Sequence, residues 1–294
     1  MAASLFLGCH GWNHADWVGP YYERGSGEFE RLSRYAGDFP TVEVPDTFAG
    51  IPPISLVGRW RDAVPDTFQF AFKVPQQITH ERRFVDTGRL LSRFLERLTP
   101  LENRLGPLLL TVSARIAPTG ETRRALKHLI QSLPAGFKWV LECRRRGWLT
   151  AALLDLLRSR NVALALADDR WVRRRLMLDL ACLPTADFAY VRWVTRNAER
   201  TGRSLHPDSF QRTLSMWSPS IAELRERVTC VFGYFSNRFG GDAFPQRAAI
   251  LQGLVDRNPD PTPEANPLLP TSQLCIFCRN ESTRCRCPDQ TDES

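Results

Sequence analysis

The stretch FQFAFKVPQQITH, residues 68–80, opens as a β-strand. Its three phenylalanines recur at every second residue, which is the period of a β-strand. The apolar run stops at Lys73, and His80 follows one short loop later. A buried strand that ends on a lysine becomes informative if other strands of the chain also end on polar side chains.

Seven more short apolar runs read as strands, and amphipathic segments separate them. The predicted strands are 4–9, 40–45, 68–73, 107–112, 138–143, 162–168, 188–193 and 230–235. The predicted helical segments are 28–39, 53–63, 87–106, 122–133, 149–160, 173–183, 207–228 and 243–257, with the weakest helical pattern in 173–183. Strands that alternate with helices indicate βα units and a parallel sheet.

Eight βα units in about 255 residues match the size of a (β/α)₈ TIM-type barrel. The competing architecture is a doubly wound open sheet. However, the sequence has no G-x-G-x-x-G after the first strand and no P-loop. The predicted fold class is therefore α/β, as a (β/α)₈ barrel.

The composition changes after Arg257, where residues 258–274 contain five prolines in seventeen positions. Such a segment is typical of an extended linker. We therefore predict a barrel domain at 1–257, a Pro-rich linker at 258–271 and a Cys-rich tail at 272–294.

The charge of the chain makes anionic partners plausible, although arginines scattered over solvated faces account for it as well. The formal net charge is +7, and only three of the 39 basic residues are lysines. Arginine is the residue best suited to bidentate recognition of phosphate and carboxylate. No apolar run reaches the length of a membrane span, and the first residues lack the basic start of a signal peptide. The expectation is a cytoplasmic protein without membrane contact.

The eight cysteines form two sets. Four lie singly in apolar surroundings and are expected to be reduced core residues: Cys9, Cys143, Cys182 and Cys230. The other four have the spacing C-x₂-C-x₆-C-x-C in the tail: Cys275, Cys278, Cys285 and Cys287. Four thiolates suit tetrahedral Zn²⁺, and they can also hold an iron–sulfur cluster or copper(I). A metal-free, oxidisable tail is the remaining interpretation.

The predicted strands share polar residues at their carboxyl ends, the end where TIM barrels place their chemistry. In chain order these are Cys9 and His10, Glu43, Lys73, Thr111 and Ser113, Glu142 with Arg144, Asp168 and Asp169, Arg192, and Ser236 to Arg238. Charges inside an apolar ring are costly unless they pair or serve a ligand. The set therefore indicates either a closed salt-bridge network or a pocket with shifted pKa values.

The chain resembles the DUF72 family, also called YecE-like proteins, and the resemblance spans the whole barrel. The stretches that carry it are GCHGWNHADWVGPYY, FPTVEVPDTF, FQFAFKVPQQITH, LGPLLLTVSARI, VLECRRRGWL, AYVRW and VFGYFSNRFGGDAFPQRAAIL. The resemblance implies a TIM-barrel fold without a settled activity. It also implies a polar set at Glu43, Lys73, His80, Glu142, Arg144, Arg192 and Asn237.

Four positions depart from the family pattern. This chain has Pro45 where the family has asparagine, and Thr111 where it has glutamine. Arg145 replaces a histidine, and Ser236 replaces the first asparagine of a pair. Each replacement removes a group that binds ligands or transfers protons.

The residue types at the strand ends suit general acid–base chemistry on a small anionic or phosphorylated substrate. The predicted catalytic residues are Lys73, Glu142, His80 and Glu43, because a buried lysine can serve as a base and a carboxylate can orient a histidine. The predicted substrate-binding residues are Arg144, Arg192, Asn237 and Asp168. A metal at His10 and His14 is disfavoured, because Gly11 lies between them and indicates a loop.

Two other functions fit the sequence. A nucleic-acid-associated barrel would use the arginines for phosphates and Trp12, Trp17 and Trp193 for stacking. In that case the tail would act as a zinc clip. A barrel that binds a ligand without catalysis is the other alternative.

Overall fold

The chain folds into a closed barrel of eight parallel strands in the order β1 to β8, as the (β/α)₈ prediction requires. The computed structural model describes residues 3–194 and 207–236. The strands are β1 Ser4–His10, β2 Thr41–Val44, β3 Gln69–Lys73, β4 Leu105–Val112, β5 Trp139–Cys143, β6 Ala163–Asp168, β7 Phe188–Trp193 and β8 Cys230–Phe235. β8 pairs with β1 and closes the ring.

Helices follow the strands and cover the outside of the barrel. They are α1 Glu28–Asp38, α2 Ile54–Asp62, α3 Gly88–Leu98, α4 Gly120–Ser132, α5 Ala151–Ser159, α6 Arg174–Ala181 and α7 Pro207–Arg227. The weakly patterned segment 173–183 does form a helix, α6, which packs against β6 and α7. The helical prediction at 243–257 lies outside the described residues.

The strands are buried on both faces, which explains their nearly continuous apolar sequences. One set of side chains fills the barrel interior, and the alternate set packs against the helices. On β6, Ala163 and Ala165 face inward, and they share the interior cluster with Phe188, Tyr190 and Phe232. Small side chains on one strand thus leave room for the large rings of β7 and β8.

A tyrosine of α1 completes the hydrogen bonding where β1 meets β2. The Tyr35 hydroxyl accepts from the Cys9 backbone N–H at 2.7 Å and donates to the Thr41 carbonyl at 2.9 Å. Gly8 is required beside it, because a Cβ there would lie 2.0 Å from the Thr41 carbonyl oxygen. This contact fixes the strands that carry His10 and Glu43.

The four single cysteines carry no disulfide, as expected, and three of them are buried. Cys182 differs, because it is only half-buried and its thiol lies 3.2 Å from Glu223 Oε2. Within residues 3–194 and 207–236, no helix combines the length and apolar character needed to cross a membrane. The proposed boundaries at 257 and 271 fall outside these ranges and remain predictions.

Candidate active site at the barrel mouth

Strand alternation brings the predicted charges to the inner face of the barrel. Each lies two residues beyond an inward-facing side chain, at the carboxyl end of its strand. The residues are Glu43 on β2, Lys73 on β3, Glu142 on β5 and Arg192 on β7. Four strands from different parts of the chain therefore place their charges in one mouth.

Arg192 is the centre of this arrangement. Its Nε and Nη2 each donate to a carboxylate oxygen of Glu43 at 2.9 Å, and its Nη1 donates to Glu142. Arg144 donates to the other oxygen of Glu142. The side chains of Glu43 and Glu142 are almost completely buried, so these charges depend on one another.

The two carboxylates stay ionised at neutral pH. Burial acts to raise the pKa of Glu142, but the guanidinium groups of Arg192 and Arg144 outweigh it and hold that pKa at about 2. Burial likewise opposes ionisation of Glu43, and Arg192 and His10 hold its pKa below the usual value. A carboxylate with a low pKa is a weak base. This favours a role in fixing charge for both groups over the predicted role as a base.

The structure adds Tyr190 and His10 to the site. The Tyr190 hydroxyl donates to Glu43 Oε2 at 2.6 Å, and His10 Nε2 lies 3.2 Å from Glu43 Oε1. Burial lowers the pKa of His10 to about 4, although Glu43 opposes the shift. His10 is therefore neutral near pH 7, beside the ionised Glu43.

Sequence reasoning noted His10 without assigning it a role and missed Tyr190, for identifiable reasons. His10 stood at a strand end, but its pairing with Glu43 depends on the β1–β2 register, in which the two residues are direct partners. Tyr190 lies two residues before Arg192 on β7 and therefore shares its inward face. The alternation in FAYVRW carried that signal for Tyr190.

Lys73 differs from the two arginines because the structure gives it no carboxylate partner. Among the described residues, no carboxylate oxygen lies within 4 Å of Lys73 Nζ, which instead sits 3.8 Å from the centre of the Phe48 ring. Burial lowers the pKa of Lys73 to about 8, and the charges of Arg192 and Arg144 add to the shift. A lysine with this pKa can donate or accept a proton near neutral pH.

His80 contacts the same ring. It belongs to a single turn of π-helix, Gln77–Glu81, and its ring stands edge-on to Phe48 with centroids 4.9 Å apart. Thr79 Oγ1 lies 2.7 Å from His80 Nδ1. Burial, followed by the charge of Lys73, lowers the pKa of His80. The structure thus brings His80 to the mouth, as predicted.

Two hydroxyl groups in the mouth are buried without a hydrogen-bond partner in the part of the chain that the structure describes. They are Thr111 Oγ1 and Ser236 Oγ. Thr111 is paired in register with Glu142, and Ser236 lies two residues beyond the inward-facing Tyr234. Buried hydroxyls normally have a partner, so each of these is an available contact for a bound molecule.

Asp168 is not brought together with these groups. It occupies the outward face of β6, where its Oδ2 accepts from Arg174 Nε at 2.7 Å and from Trp217 Nε1 at 2.9 Å. Its neighbour Asp169 takes the inward position, because one residue along a strand reverses the face. Burial, then the charge of Glu142, raises the pKa of Asp169 to about 6.

The stacking role proposed for three tryptophans is wrong. Trp12, Trp17 and Trp193 are each at most 2% exposed and belong to the core between the barrel and the helices. Their large apolar rings complete the packing there. Trp171, after β6, is exposed instead, at 40%.

Several predicted residues lie outside the described residues: Asn237, Cys275, Cys278, Cys285 and Cys287. Within the described ranges, no three histidine, cysteine, aspartate or glutamate side chains cluster as a metal site would require. Zinc at the tail therefore remains a prediction from spacing.

The sequence of the chain matches a protein family and several known proteins. The family model described as "Protein of unknown function DUF72" matches residues 6–273. UPF0759 protein YecE of Escherichia coli K12 is 33% identical over 140 residues, which is 48% of this chain and 48% of that relative. The chain thus aligns with about half the length of YecE. UPF0759 protein YunF of Bacillus subtilis is 24% identical over 272 residues, which covers 84% of this chain and 94% of YunF.

Solved structures share the barrel. A DUF72 family protein from Enterococcus faecalis V583 superposes with a TM-score of 0.67 at 22% identity, over 86% of this chain and 98% of that one. One from Thermotoga maritima MSB8 gives 0.67 at 21% identity, over the same shares of the two chains. At this identity the likeness establishes the fold alone.

Proposed function

This chain belongs to the DUF72 family of proteins of unknown function, and from that premise we propose that its barrel mouth binds a small anionic substrate and performs general acid–base chemistry on it. The observation that carries the proposal is Lys73. It is a half-buried cation with no carboxylate within 4 Å among the described residues, whereas both nearby arginines are paired. An anionic group of a ligand would compensate that charge.

The paired groups would form the frame of the site. Arg192 joins Glu43 and Glu142 into a fixed array, and fixed charges need no rearrangement when a ligand enters. Arg144 is 26% exposed and so keeps guanidinium N–H groups accessible for a phosphate or carboxylate. Thr111 and Ser236 would supply hydroxyl contacts.

Lys73 and His80 would move protons. Both have a lowered pKa, and they flank the same Phe48 ring. With a pKa of about 8, Lys73 is protonated in most molecules at pH 7 and neutral in a useful fraction. The predicted reaction class is hydrolysis, or a lyase or isomerase step. Asn237 stays a predicted substrate contact, whereas the helix-facing pairing of Asp168 favours a structural role for it.

Sulfate is the probe we would use first, because it does not titrate between pH 6 and 10. We expect calorimetric binding at pH 7 that weakens as pH rises through about 8, where Lys73 loses its charge. Lys73→Met should abolish binding. The matched control is Lys127→Met, which removes an exposed lysine from α4. Equal affinity in wild type and Lys73→Met contradicts the proposal.

Turnover separates an enzyme from a barrel that only binds. A panel of small phosphate esters and carboxylates, followed by phosphate release and proton NMR, should give a product that forms in wild type and not in Lys73→Met. Sulfate binding without turnover of any panel member would favour the non-catalytic alternative.

We further propose that the tail binds one Zn²⁺ through Cys275, Cys278, Cys285 and Cys287, on the spacing of these thiols. Metal analysis of protein purified without oxygen should give one zinc per chain, and deletion of 272–294 should remove it. Iron with sulfide would identify a cluster instead. Absence of metal would leave the oxidisable tail.

A further inference from the structure

Among the described loops of the barrel mouth, positive charge is concentrated in four that follow one another around the ring. The loops that follow β3, β4, β5 and β6 contain eight arginines and three acidic residues. The arginines are Arg82, Arg83, Arg115, Arg144, Arg145, Arg146, Arg170 and Arg173. The acidic residues are Glu81, Asp86 and Asp169. Hereafter these four loops are called the arginine rim.

The other loops that the structure describes lack this excess. The described loops that enter the strands, at the opposite end, carry three basic and three acidic side chains. They are Arg104, Lys138 and Arg160 against Asp66, Glu102 and Asp187. The loops after β1 and β2 carry one arginine and three acidic residues. The arginine rim therefore holds most of the net charge of +7 and directs it to one side of the mouth.

The rim arginines are exposed and mostly without counter-charges. All except Arg144 are exposed to solvent. Five of them form no ion pair within the described part of the chain: Arg82, Arg83, Arg115, Arg145 and Arg173. Like charges on adjacent loops repel one another, so they add nothing to stability. A polyanion laid across the rim would relieve that repulsion.

An exposed aromatic ring lies within the rim. Trp171 is 40% exposed, and the Arg170 guanidinium carbon lies 4.5 Å from the centre of its ring. The Asp169 carboxylate accepts from the backbone N–H of Trp171 at 2.8 Å and of Val172 at 3.3 Å, which fixes this loop. A fixed, accessible indole among arginines is a stacking platform for a base.

We propose that the arginine rim and Trp171 bind single-stranded nucleic acid, with the arginines on phosphates and a base stacked on the indole. Arginine forks match phosphate oxygens in a bidentate manner, and an exposed indole beside them offers a face on which a base can stack. This surface shares Arg144 with the site around Lys73, so the variants that test it leave Arg144 in place.

The test is the binding of a fluorescein-labelled dT twelve-mer to the full chain, measured by anisotropy at 50–200 mM salt. The key variant, Arg145→Glu with Arg173→Glu, should weaken binding at least tenfold and flatten the logarithmic salt slope by about 1.4, since two phosphate contacts are lost. The matched control, Lys138→Glu with Arg160→Glu, makes the same charge change at the opposite end of the barrel. It should change affinity less than threefold.

Trp171→Ala tests the base contact separately. It should weaken binding roughly 5- to 100-fold with an unchanged salt slope, because stacking involves no ion release. Duplex of the same length and inorganic polyphosphate should bind more weakly than the single strand. The proposal is overturned by no binding at 50 mM salt, by equal losses in the two charge variants, or by equal binding of polyphosphate with no effect of Trp171→Ala. Circular dichroism confirms that each surface variant is folded.

Discussion

Lys73 illustrates how a single side chain can oppose the stability of the fold that holds it. Burial and two neighbouring arginines lower its pKa from the ordinary 10.5 to about 8. Between those two pH values, Lys73 is mostly protonated in the unfolded chain and mostly neutral in the folded protein. It follows that the charge of Lys73 destabilises the fold at neutral pH, and that the stability of the fold rises as pH increases from about 8 to 10.5.

We expect Lys73→Met to raise the free energy of unfolding at pH 7 by about 1–3 kcal/mol, because the variant removes an uncompensated buried charge. Urea unfolding at several pH values measures it. The gain should be largest below pH 8 and should vanish above pH 10.5.

Lys127→Met, on the exposed face of α4, provides the control and should change stability little at any pH. A loss of stability in Lys73→Met at pH 7 would mean that its contact with the Phe48 ring outweighs the burial of its charge.

Strands and helices were largely predictable, because each is buried in a way that leaves a periodic sequence. All eight strands lie within three residues of their predicted ends, and even the weakly patterned segment 173–183 forms α6. Whether a side chain at a strand end points into the barrel or toward the helices was harder to predict. The choice between Asp168 and Asp169 depends on which one continues the inward-facing alternation of Ala163 and Ala165, and adjacent carboxylates at a strand end look alike in sequence.

Contacts between elements were beyond the reach of the sequence. The pairing of His10 with Glu43 and of Asp168 with Trp217 depends on register and on helix position. The tryptophans near strand ends could not be sorted into exposed and buried from composition either. Trp171 follows β6 and is exposed, whereas Trp193 ends β7 and is buried.

The hydroxyl of Tyr35 joins α1 to two strands, and its removal tests that contact. Tyr35→Phe would leave the Cys9 N–H and the Thr41 carbonyl without this buried partner. We expect a loss of about 1–3 kcal/mol in the free energy of unfolding. Thermal and urea unfolding measure it.

Tyr21→Phe is the matched control. It removes an exposed hydrogen bond from the Tyr21 hydroxyl to Asp38, and it should cost less than about 1 kcal/mol. Similar losses in the two variants would show that the Tyr35 hydroxyl does not support the β1–β2 junction.

Strands from around the barrel share one network of buried charge, and this network makes the free energy of unfolding depend on pH in the acid range. The pKa of Glu142 is about 2 in the folded protein, against 4.5 ordinarily. A carboxyl with a lowered pKa stabilises the fold fully above its unfolded pKa, and that contribution disappears as pH falls from about 4.5 to about 2.

Glu142→Gln should therefore lower the free energy of unfolding at pH 7 by about 3–5 kcal/mol, because Arg192 and Arg144 lose a charged partner in a buried site. The variant should also lose less stability than wild type between pH 4.5 and 2. Urea unfolding across that range measures both effects, and the exposed Glu96→Gln on α3 is the control. Parallel pH profiles for wild type and Glu142→Gln would contradict the role assigned to the network.

The position of Arg192 in the chain has a consequence for synthesis. Its partners lie 149 and 50 residues earlier, so both carboxylates are synthesised before the guanidinium group that joins them. Until β7 is made, Glu43 lacks its arginine and Glu142 has only Arg144 as a counter-ion, so burial of either carboxylate inside the unfinished sheet is costly. Dehydration of the interior, closure of the ring and assembly of the mouth therefore belong to one late event of biosynthesis.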